Sequence, residues 1–124
     1  WTPEMLRGRT VLDGGCGAGR FTEVALRWGA KVTSVDLSEA VFAARENVAG
    51  AERGRFVQGD CLKLPFAPGS FDFVFSIGVA QHTPDPEGFV RSLARRVKPG
   101  GRGASHGSHN SEACRARCRR AQQR

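Results

Sequence analysis

The glycine-rich run at residues 13–19, DGGCGAG, constrains this chain more than any other feature. It follows a short apolar segment at 10–12 and precedes apolar residues at helical spacing, so it lies between a predicted strand and a predicted helix. Glycine has no Cβ, and it therefore lets the backbone turn sharply and approach a ligand closely. The run predicts a ligand-binding loop at the end of a strand.

The spacing of these glycines excludes two common nucleotide-binding loops. Gly15, Gly17 and Gly19 form a G-x-G-x-G pattern, whereas the dinucleotide pattern G-x-G-x-x-G would need a third glycine at Arg20. A P-loop is excluded because no Gly-Lys-Ser/Thr follows. Asp13, at the head of the loop, repels a pyrophosphate and attracts a cation. The loop therefore favours a positively charged ligand.

Strand and helix patterns alternate along residues 9–101. Short apolar or β-branched segments predict four strands, at 10–12, 31–35, 55–58 and 71–77. Helical patterns cover about 21–28, 38–48 and 86–97, and the sequence Pro-Gly-Gly at 99–101 is expected to stop the last helix. This alternation predicts an α/β fold with a doubly wound, mostly parallel sheet. Ligands of such sheets bind beyond the carboxyl ends of the strands.

Two further carboxylates end the second and third predicted strands. Asp36 comes 21 residues after Gly15, at the spacing of the ribose-hydroxyl ligand in nucleoside-binding α/β folds. Asp60 follows the third strand, where a carboxylate can accept a hydrogen bond from an adenine amino group. A strand-end aspartate also forms turns or caps helices. Three of them beside one glycine loop indicate a shared site for a cationic adenosyl ligand.

Five stretches in a fixed order resemble the class I S-adenosylmethionine-dependent methyltransferases, and especially their small-molecule branch known as type 11. They are VLDGGCGAG at 11–19, VDLS at 35–38, GDCLKLPF at 59–66, FDFVFS at 71–76 and VKPGG at 97–101. The resemblance implies a Rossmann-like methyltransferase fold with S-adenosylmethionine as the cofactor. It also implies methyl transfer to a small-molecule acceptor by in-line displacement, which needs no dedicated protein nucleophile.

The resemblance assigns five residues to the methionine portion of the cofactor. Asp13 and the backbone at Gly15 and Gly17 would hold this portion, and Gly14 belongs to the same loop. Ser76 ends the fourth predicted strand and would lie under it.

Four more residues are assigned to the adenosine portion in the same way. Asp36 would bind the ribose hydroxyls, and Leu37 would pack on the adenine face. Asp60 would accept a hydrogen bond from the adenine amino group, with the Cys61 backbone beside the ring.

His82 is the candidate general base. It follows the fourth predicted strand, where the methyl acceptor is expected, and a base assists when the acceptor is a hydroxyl or an acidic carbon. The alternative is a loop histidine that only packs or caps. No Asn/Asp-Pro-Pro-Tyr/Phe sequence follows this strand, and by family analogy that argues against methylation of exocyclic amines in nucleic acids.

The last 23 residues differ in composition from the rest of the chain. Residues 102–124 hold six arginines and one glutamate, which is most of the net charge of +7, and they contain no Val, Ile, Leu, Phe or Trp. We therefore expect a partial methyltransferase domain at 1–101 and a basic, disordered tail at 102–124. Family members continue with an apolar fifth strand, and 102–106 lacks that pattern. We expect a domain truncated after the fourth strand and following helix, with that strand as an uncovered edge.

The tail also contains four candidate zinc ligands, whose spacing matches no standard finger, and no metal site is predicted. They are His106, His109, Cys114 and Cys118. No segment resembles a signal peptide or is apolar enough to span a membrane, so we expect a cytoplasmic protein.

Two other functions remain open beside the small-molecule methyltransferase. A truncated domain can be a catalytically inactive fragment that keeps only cofactor binding. An arginine-rich tail attracts nucleic acid through charge alone, but its arginines are not interleaved with aromatic residues. We therefore expect neither a specific nucleic-acid partner nor a membrane, and the sequence does not indicate an oligomeric state.

Overall fold

The computed structural model describes residues 1–106, which form one parallel sheet with helices on both faces. The strands are β1 (Thr10–Gly14), β2 (Lys31–Asp36), β3 (Arg55–Gln58), β4 (Phe71–Ile77) and β5 (Val97–His106). The helices are α1 (Pro3–Leu6), α2 (Arg20–Arg27), α3 (Ala40–Asn47) and α4 (Pro86–Ala94), with 3₁₀ turns at Ala51–Arg53 and Ala80–His82. The strand order is β3-β2-β1-β4-β5, and every neighbouring pair is parallel. The predicted doubly wound α/β fold is confirmed.

The order of the strands brings their carboxyl ends to one edge of the sheet. β1 is the central strand. β2 and β3 are added on one side of it, and β4 and β5 on the other, so the order in which strands are added reverses at β1. Crevices at such a reversal are where open α/β sheets bind ligands. The glycine loop after β1 therefore lies at the binding edge that the topology defines.

Alternate strand residues face two separate apolar layers, because successive side chains of a strand point to opposite faces. One layer packs against α4 and includes Leu12, Val35, Val74, Phe89 and Leu93. The other packs against α1, α2 and α3 and includes Val11, Leu26, Val32, Ala44 and Phe73. Burial on both faces explains why β4 reads as a nearly continuous apolar run.

The fifth strand corrects the sequence-based expectation for residues 102–106. These residues pair in parallel with β4, from Phe73 opposite Arg102 to Ile77 opposite His106. The prediction that they are not a strand, and that β4 is an uncovered edge, is wrong. Strands pair through backbone hydrogen bonds, so a segment of small and polar residues can join the sheet although it lacks an apolar pattern. The rest of the predicted tail, 107–124, lies outside the described residues.

The sequence analysis predicted that the glycines at 100 and 101 stop a helix. They lie instead within β5 and shape this strand. α4 ends at Ala94, and Val97 already belongs to β5. The pairing with β4 is irregular between Phe71 and Phe73, and there a Cβ on Gly101 would lie only 2.5 Å from the carbonyl oxygen of Asp72. A residue without a side chain is therefore required where the two strands approach each other.

The helices of the described part are short. The longest, α4, has nine residues, and no helix within residues 1–106 is long and apolar enough to cross a membrane.

Candidate functional site

The glycine loop is anchored to the end of the neighbouring strand β2. The backbone N–H groups of Gly15 and Cys16 both donate to the carbonyl oxygen of Val35, at 2.7 and 3.0 Å. Gly15, Gly17 and Gly19 all have positive φ angles, of 78°, 54° and 89°. Residues with side chains rarely adopt this conformation, so the loop's path depends on glycine at these three positions.

Most of the loop's glycines are required by packing inside the protein. A Cβ on Gly14 would lie 2.7 Å from Leu93, and one on Gly15 would lie 2.6 Å from Val79. A Cβ on Gly19 would come within 3 Å of both Val48 and Ala44 of the α3 region. The loop therefore packs closely against α4, the segment after β4 and α3, with no space for side chains at these glycines.

Gly17 differs from its neighbours because no atom of residues 1–106 lies within 4 Å of the position where its Cβ would be. Its N–H donates to the Oδ2 atom of Asp36 at 2.7 Å, so the open side of the loop lies beside that carboxylate. The structure thus leaves room for a ligand at Gly17, next to the predicted ribose ligand.

Asp36 ends β2 and is half-buried. Its Oδ1 atom accepts hydrogen bonds from the backbone N–H and the hydroxyl of Ser38, both at 2.8 Å. Together with the Gly17 bond, these contacts use three of the roughly four acceptor positions of a carboxylate. Leu37, the next residue, leaves 71% of its surface exposed. An exposed apolar side chain therefore lies directly beside a carboxylate that still has acceptor capacity.

Asp13 is 3% exposed and is held by a chain of buried hydroxyls. Its Oδ2 atom accepts a hydrogen bond of 2.6 Å from the Thr22 hydroxyl, which lies 2.8 Å from the Ser34 hydroxyl. Burial raises the pKa of the Asp13 carboxyl to about 7, the Thr22 hydrogen bond opposes this, and the nearby charge of Asp36 adds to it. Asp13 therefore titrates near neutral pH.

Asp60 forms the turn after β3. Its Oδ1 atom accepts a hydrogen bond from the Leu62 N–H at 2.9 Å, and its carbonyl oxygen accepts one from the Lys63 N–H. The N–H of Gly59 donates to the carbonyl oxygen of Asp36 at 2.9 Å, which ties this turn to the end of β2. Asp60 thus forms a turn, and its predicted contact with adenine remains a prediction.

Cys61 shows that the three carboxylates gather around one place. Burial of its thiol, together with the nearby charges of Asp36, Asp60 and Asp13, raises the pKa of that thiol to about 12. Hydrogen bonds agree with this: the Gly17 N–H donates to the Asp36 carboxylate, and the N–H of Gly59, beside Asp60, donates to the Asp36 carbonyl oxygen. The same three strand ends that the sequence singled out therefore meet at the glycine loop.

Ser76 occupies the end of β4, one strand away from the loop. It is 1% exposed, and among the described residues its hydroxyl has no hydrogen-bond partner. Buried hydroxyls are seldom left unpaired, because desolvation costs about 1–3 kcal/mol. A polar ligand at this edge would satisfy it.

A cavity of about 400 Å³ opens beside Ser76 at the ends of β4 and β5. Its walls are mostly apolar and come from the N-terminus, α2, β4 and β5. They include Trp1, Phe21, Val24, Trp28, Phe75 and Ile77.

His82 lies in the 3₁₀ turn after β4 and is exposed. Its N–H donates to the carbonyl oxygen of Val79, the residue that packs against Gly15. The turn that carries His82 therefore touches the glycine loop, although no contact of the imidazole supports a role as base. That role stays a prediction.

Sequence reasoning missed three residues that shape this site: Thr22, Ser34 and Val79. A signal existed for Thr22, which is a polar residue three positions before Ala25 on the inward face of α2. Ser34 was hidden inside the β-branched run of β2. Nothing in the sequence marks Val79, because its contact with Gly15 exists only when the segment after β4 folds over the loop.

Comparison with known proteins shows the family. The family model described as "Methyltransferase domain" matches residues 12–104. The chain therefore belongs to the methyltransferase domain family.

Individual relatives agree with this assignment and differ from the chain in length. A ubiquinone biosynthesis O-methyltransferase of Idiomarina loihiensis is 38% identical over 102 residues, which are 78% of this chain and 41% of that protein. The crystal structure of a protein from Pyrococcus horikoshii superposes with a TM-score of 0.73 at 31% identity, covering 80% of this chain and 49% of that one.

A further crystal structure, of a SAM-dependent methyltransferase from Aquifex aeolicus, superposes with a TM-score of 0.73 at 27% identity. It covers 85% of this chain and 63% of the Aquifex chain. The chain thus spans less than two thirds of the length of each of these relatives.

Proposed function

We propose that this chain is the cofactor-binding domain of an S-adenosylmethionine-dependent methyltransferase that acts on a small molecule. The observation that carries the proposal is that the adjoining ends of β1, β2 and β3, which carry Asp13, Asp36 and Asp60, are joined by hydrogen bonds at the glycine loop, beside the open position at Gly17. Membership of the methyltransferase domain family supports it, as does the name of the Idiomarina relative.

The residues at this edge suit the chemistry of the adenosyl part of the cofactor. Asp36 is proposed to accept hydrogen bonds from the ribose hydroxyls, and the exposed Leu37 to pack on the adenine face. Asp60 is proposed to accept from the adenine amino group, with the Cys61 backbone beside the ring. The four groups come from the ends of β2 and β3, which adjoin in the sheet.

The methionine part is proposed to lie against β1 and β4. The charge of Asp13 would attract the ammonium group, while the backbone at Gly15 and Gly17 provides the surface, with Gly14 in the same loop. The Ser76 hydroxyl, which has no hydrogen-bond partner within residues 1–106, would gain one there. The cofactor supplies a methyl group that its sulfonium already activates.

The protein's part in methyl transfer is to position the acceptor and to exclude water. The apolar cavity of about 400 Å³ beside Ser76 has the size and lining of a small-molecule site. His82 is proposed to accept the acceptor's proton where one must leave.

The proposal assigns the chain no specific nucleic-acid or membrane partner and places it in the cytoplasm. Within residues 1–106, Cys16 and Cys61 form no disulfide, which agrees with a reducing compartment. The rival function is a cofactor-binding fragment without catalysis, which is kept because the chain spans only 41% of the Idiomarina relative.

Two measurements on the chain test the proposal. Calorimetric titration with S-adenosylhomocysteine should show saturable binding, and labelled methyl groups should pass from S-adenosylmethionine into a metabolite extract. A folded chain that binds S-adenosylhomocysteine but transfers no label would support the fragment instead. A folded chain without any binding would contradict both.

The pH dependence of cofactor binding tests the role of Asp13. Its carboxyl has a pKa raised to about 7, so it is mostly neutral at pH 6 and mostly ionised at pH 8. Because only the ionised form attracts the ammonium group, affinity for S-adenosylhomocysteine should rise about tenfold between these pH values. Calorimetry at both values measures it.

Asp13→Asn should remove this pH dependence and leave the weaker affinity. Asp72→Asn is the control, because hydrogen bonding from the Thr10 N–H lowers the pKa of the Asp72 carboxyl from its usual value of 3.8, so it stays ionised throughout this range. A pH dependence that persists in Asp13→Asn would exclude Asp13 as its source.

A further inference from the structure

A second cavity, of about 540 Å³, lies at the opposite edge of the sheet from the glycine loop. One side of it is lined by the first residues of β1, β2 and β3, and the other side by residues of the segment between β3 and β4. The lining residues are Thr10, Lys31, Val32, Thr33, Arg53, Arg55, Pro65, Phe66, Ala67, Ser70 and Phe71. We call it the basic cavity, because three of these residues are cations and none is an acid.

The three cations come from three different elements. Lys31 begins β2, Arg55 begins β3, and Arg53 belongs to the 3₁₀ turn before β3. The parallel pairing places Arg55 opposite Thr33, two residues after Lys31 on the neighbouring strand. The fold, and not nearness in sequence alone, therefore brings the positive charges to one cavity.

Within residues 1–106, carboxylates neutralise little of the positive charge of these three residues. Arg53 lies 4.0 Å from Glu52, but both side chains are largely exposed, at 51% and 78%, so water screens this pair and the attraction is weak. Among residues 1–106, Lys31 and Arg55 form no ion pair. The side chains of Lys31, Arg53 and Arg55 are exposed, so a bound anion would gain their positive charge without first breaking a buried ion pair.

The carboxylate of Asp72, next to the lining residue Phe71, already has partners of its own. Asp72 accepts hydrogen bonds from the N–H and the hydroxyl of Thr10, at 3.0 and 2.9 Å, and pairs with Lys98 at 3.6 Å. Its charge is therefore shared with Thr10 and Lys98, and the cations of the basic cavity remain available.

The rest of the lining adds an apolar wall and two hydroxyl residues. The ring of Phe66 packs edge-on against Phe71, with the ring centres 5.4 Å apart. Thr33 and Ser70 are the hydroxyl residues, and the Ser70 hydroxyl already donates to the carbonyl oxygen of Ala67. Small-molecule sites combine such a largely apolar lining with a few convergent polar groups, and this volume is typical of them.

We propose that the basic cavity binds a small organic anion that carries at least two negative charges and an apolar ring, at a site separate from the cofactor. The guanidinium groups of Arg53 and Arg55 match the planar oxygens of a phosphate ester or a carboxylate, and Lys31 adds a third positive charge. Phe66 provides the surface for the ring.

Phenyl phosphate is the test ligand, because it combines a phosphate ester with an aromatic ring. Calorimetric titration of the chain should give a dissociation constant of about 1 mM or tighter. Inorganic phosphate should bind several-fold more weakly, since it cannot use the apolar wall. Titration with phthalate distinguishes the source of the charge: equal binding makes the class a dianion in general, and weak binding restricts it to phosphate esters.

The double variant Lys31→Gln/Arg55→Gln should weaken phenyl phosphate binding at least tenfold. Its control, Arg27→Gln/Arg91→Gln, removes the same charge from exposed positions on α2 and α4 and should bind as the unaltered chain does. An equal loss in both variants would show non-specific attraction and overturn the proposal.

Backbone NMR shifts in the unaltered chain provide a measurement that does not depend on how the variants fold. On addition of phenyl phosphate, the shifted signals should belong to residues 31–33, 53–55 and 65–71. Shifts concentrated at the glycine loop, or the absence of saturable binding up to about 10 mM, would also overturn the proposal.

Discussion

Replacement of Asp36 by alanine is expected to weaken binding of S-adenosylhomocysteine at least a hundredfold, as measured by calorimetry. The change removes the proposed acceptor of the ribose hydroxyls, and a hydrogen bond to a charged group contributes about 1.5–3 kcal/mol. It also frees the N–H of Gly17, which Asp36 holds at 2.7 Å beside the open side of the loop. Both losses act on the same ligand.

A matched control separates loss of the ligand from loss of the turn. Ser38→Ala removes the hydroxyl that donates to the Oδ1 atom of Asp36 but leaves the carboxylate in place. It should change the affinity less than about threefold, because it removes a neutral donor on an exposed turn. Similar losses in Asp36→Ala and Ser38→Ala would mean that the turn matters and that Asp36 is not the ribose ligand.

Replacement of Gly15 by alanine is expected to lower the free energy of unfolding by about 2–4 kcal/mol. The positive φ of 78° strains any residue with a side chain, and the added Cβ would lie 2.6 Å from Val79. Urea denaturation followed by tryptophan fluorescence measures the change. The loss is a large share of the stability of a small domain.

Gly78→Ala isolates the conformational part of this loss. Gly78 has nearly the same φ, 73°, but nothing lies within 4 Å of its Cβ position, so only about 1–2 kcal/mol should be lost. Adding Val79→Ala to Gly15→Ala should recover part of the difference, as a double-mutant cycle would show. Equal losses at Gly15 and Gly78 would refute the close approach of Val79 to the loop.

Agreement between the sequence and the structure is best where the information is local. The alternation of apolar or β-branched segments with helical patterns correctly predicted β1 to β4, of which β1, β2 and β4 are largely buried. Glycine spacing and the strand-end aspartates marked the edge where the strands end, because parallel strands bring their carboxyl ends together. Those residues do meet, although their contacts with a cofactor stay predictions.

The sequence alone therefore determined the fold class, the family and the edge of the sheet that holds the candidate site. Only the tertiary structure decided that residues 97–106 form a fifth strand, since β4 supplies the backbone partners that this polar, glycine-rich segment needs. Tertiary packing likewise brought the Thr22 hydroxyl into a hydrogen bond with Asp13 and the Val79 side chain into close approach to Gly15. Contacts of this kind join residues that are distant along the chain, and patterns of neighbouring residues carry no record of them.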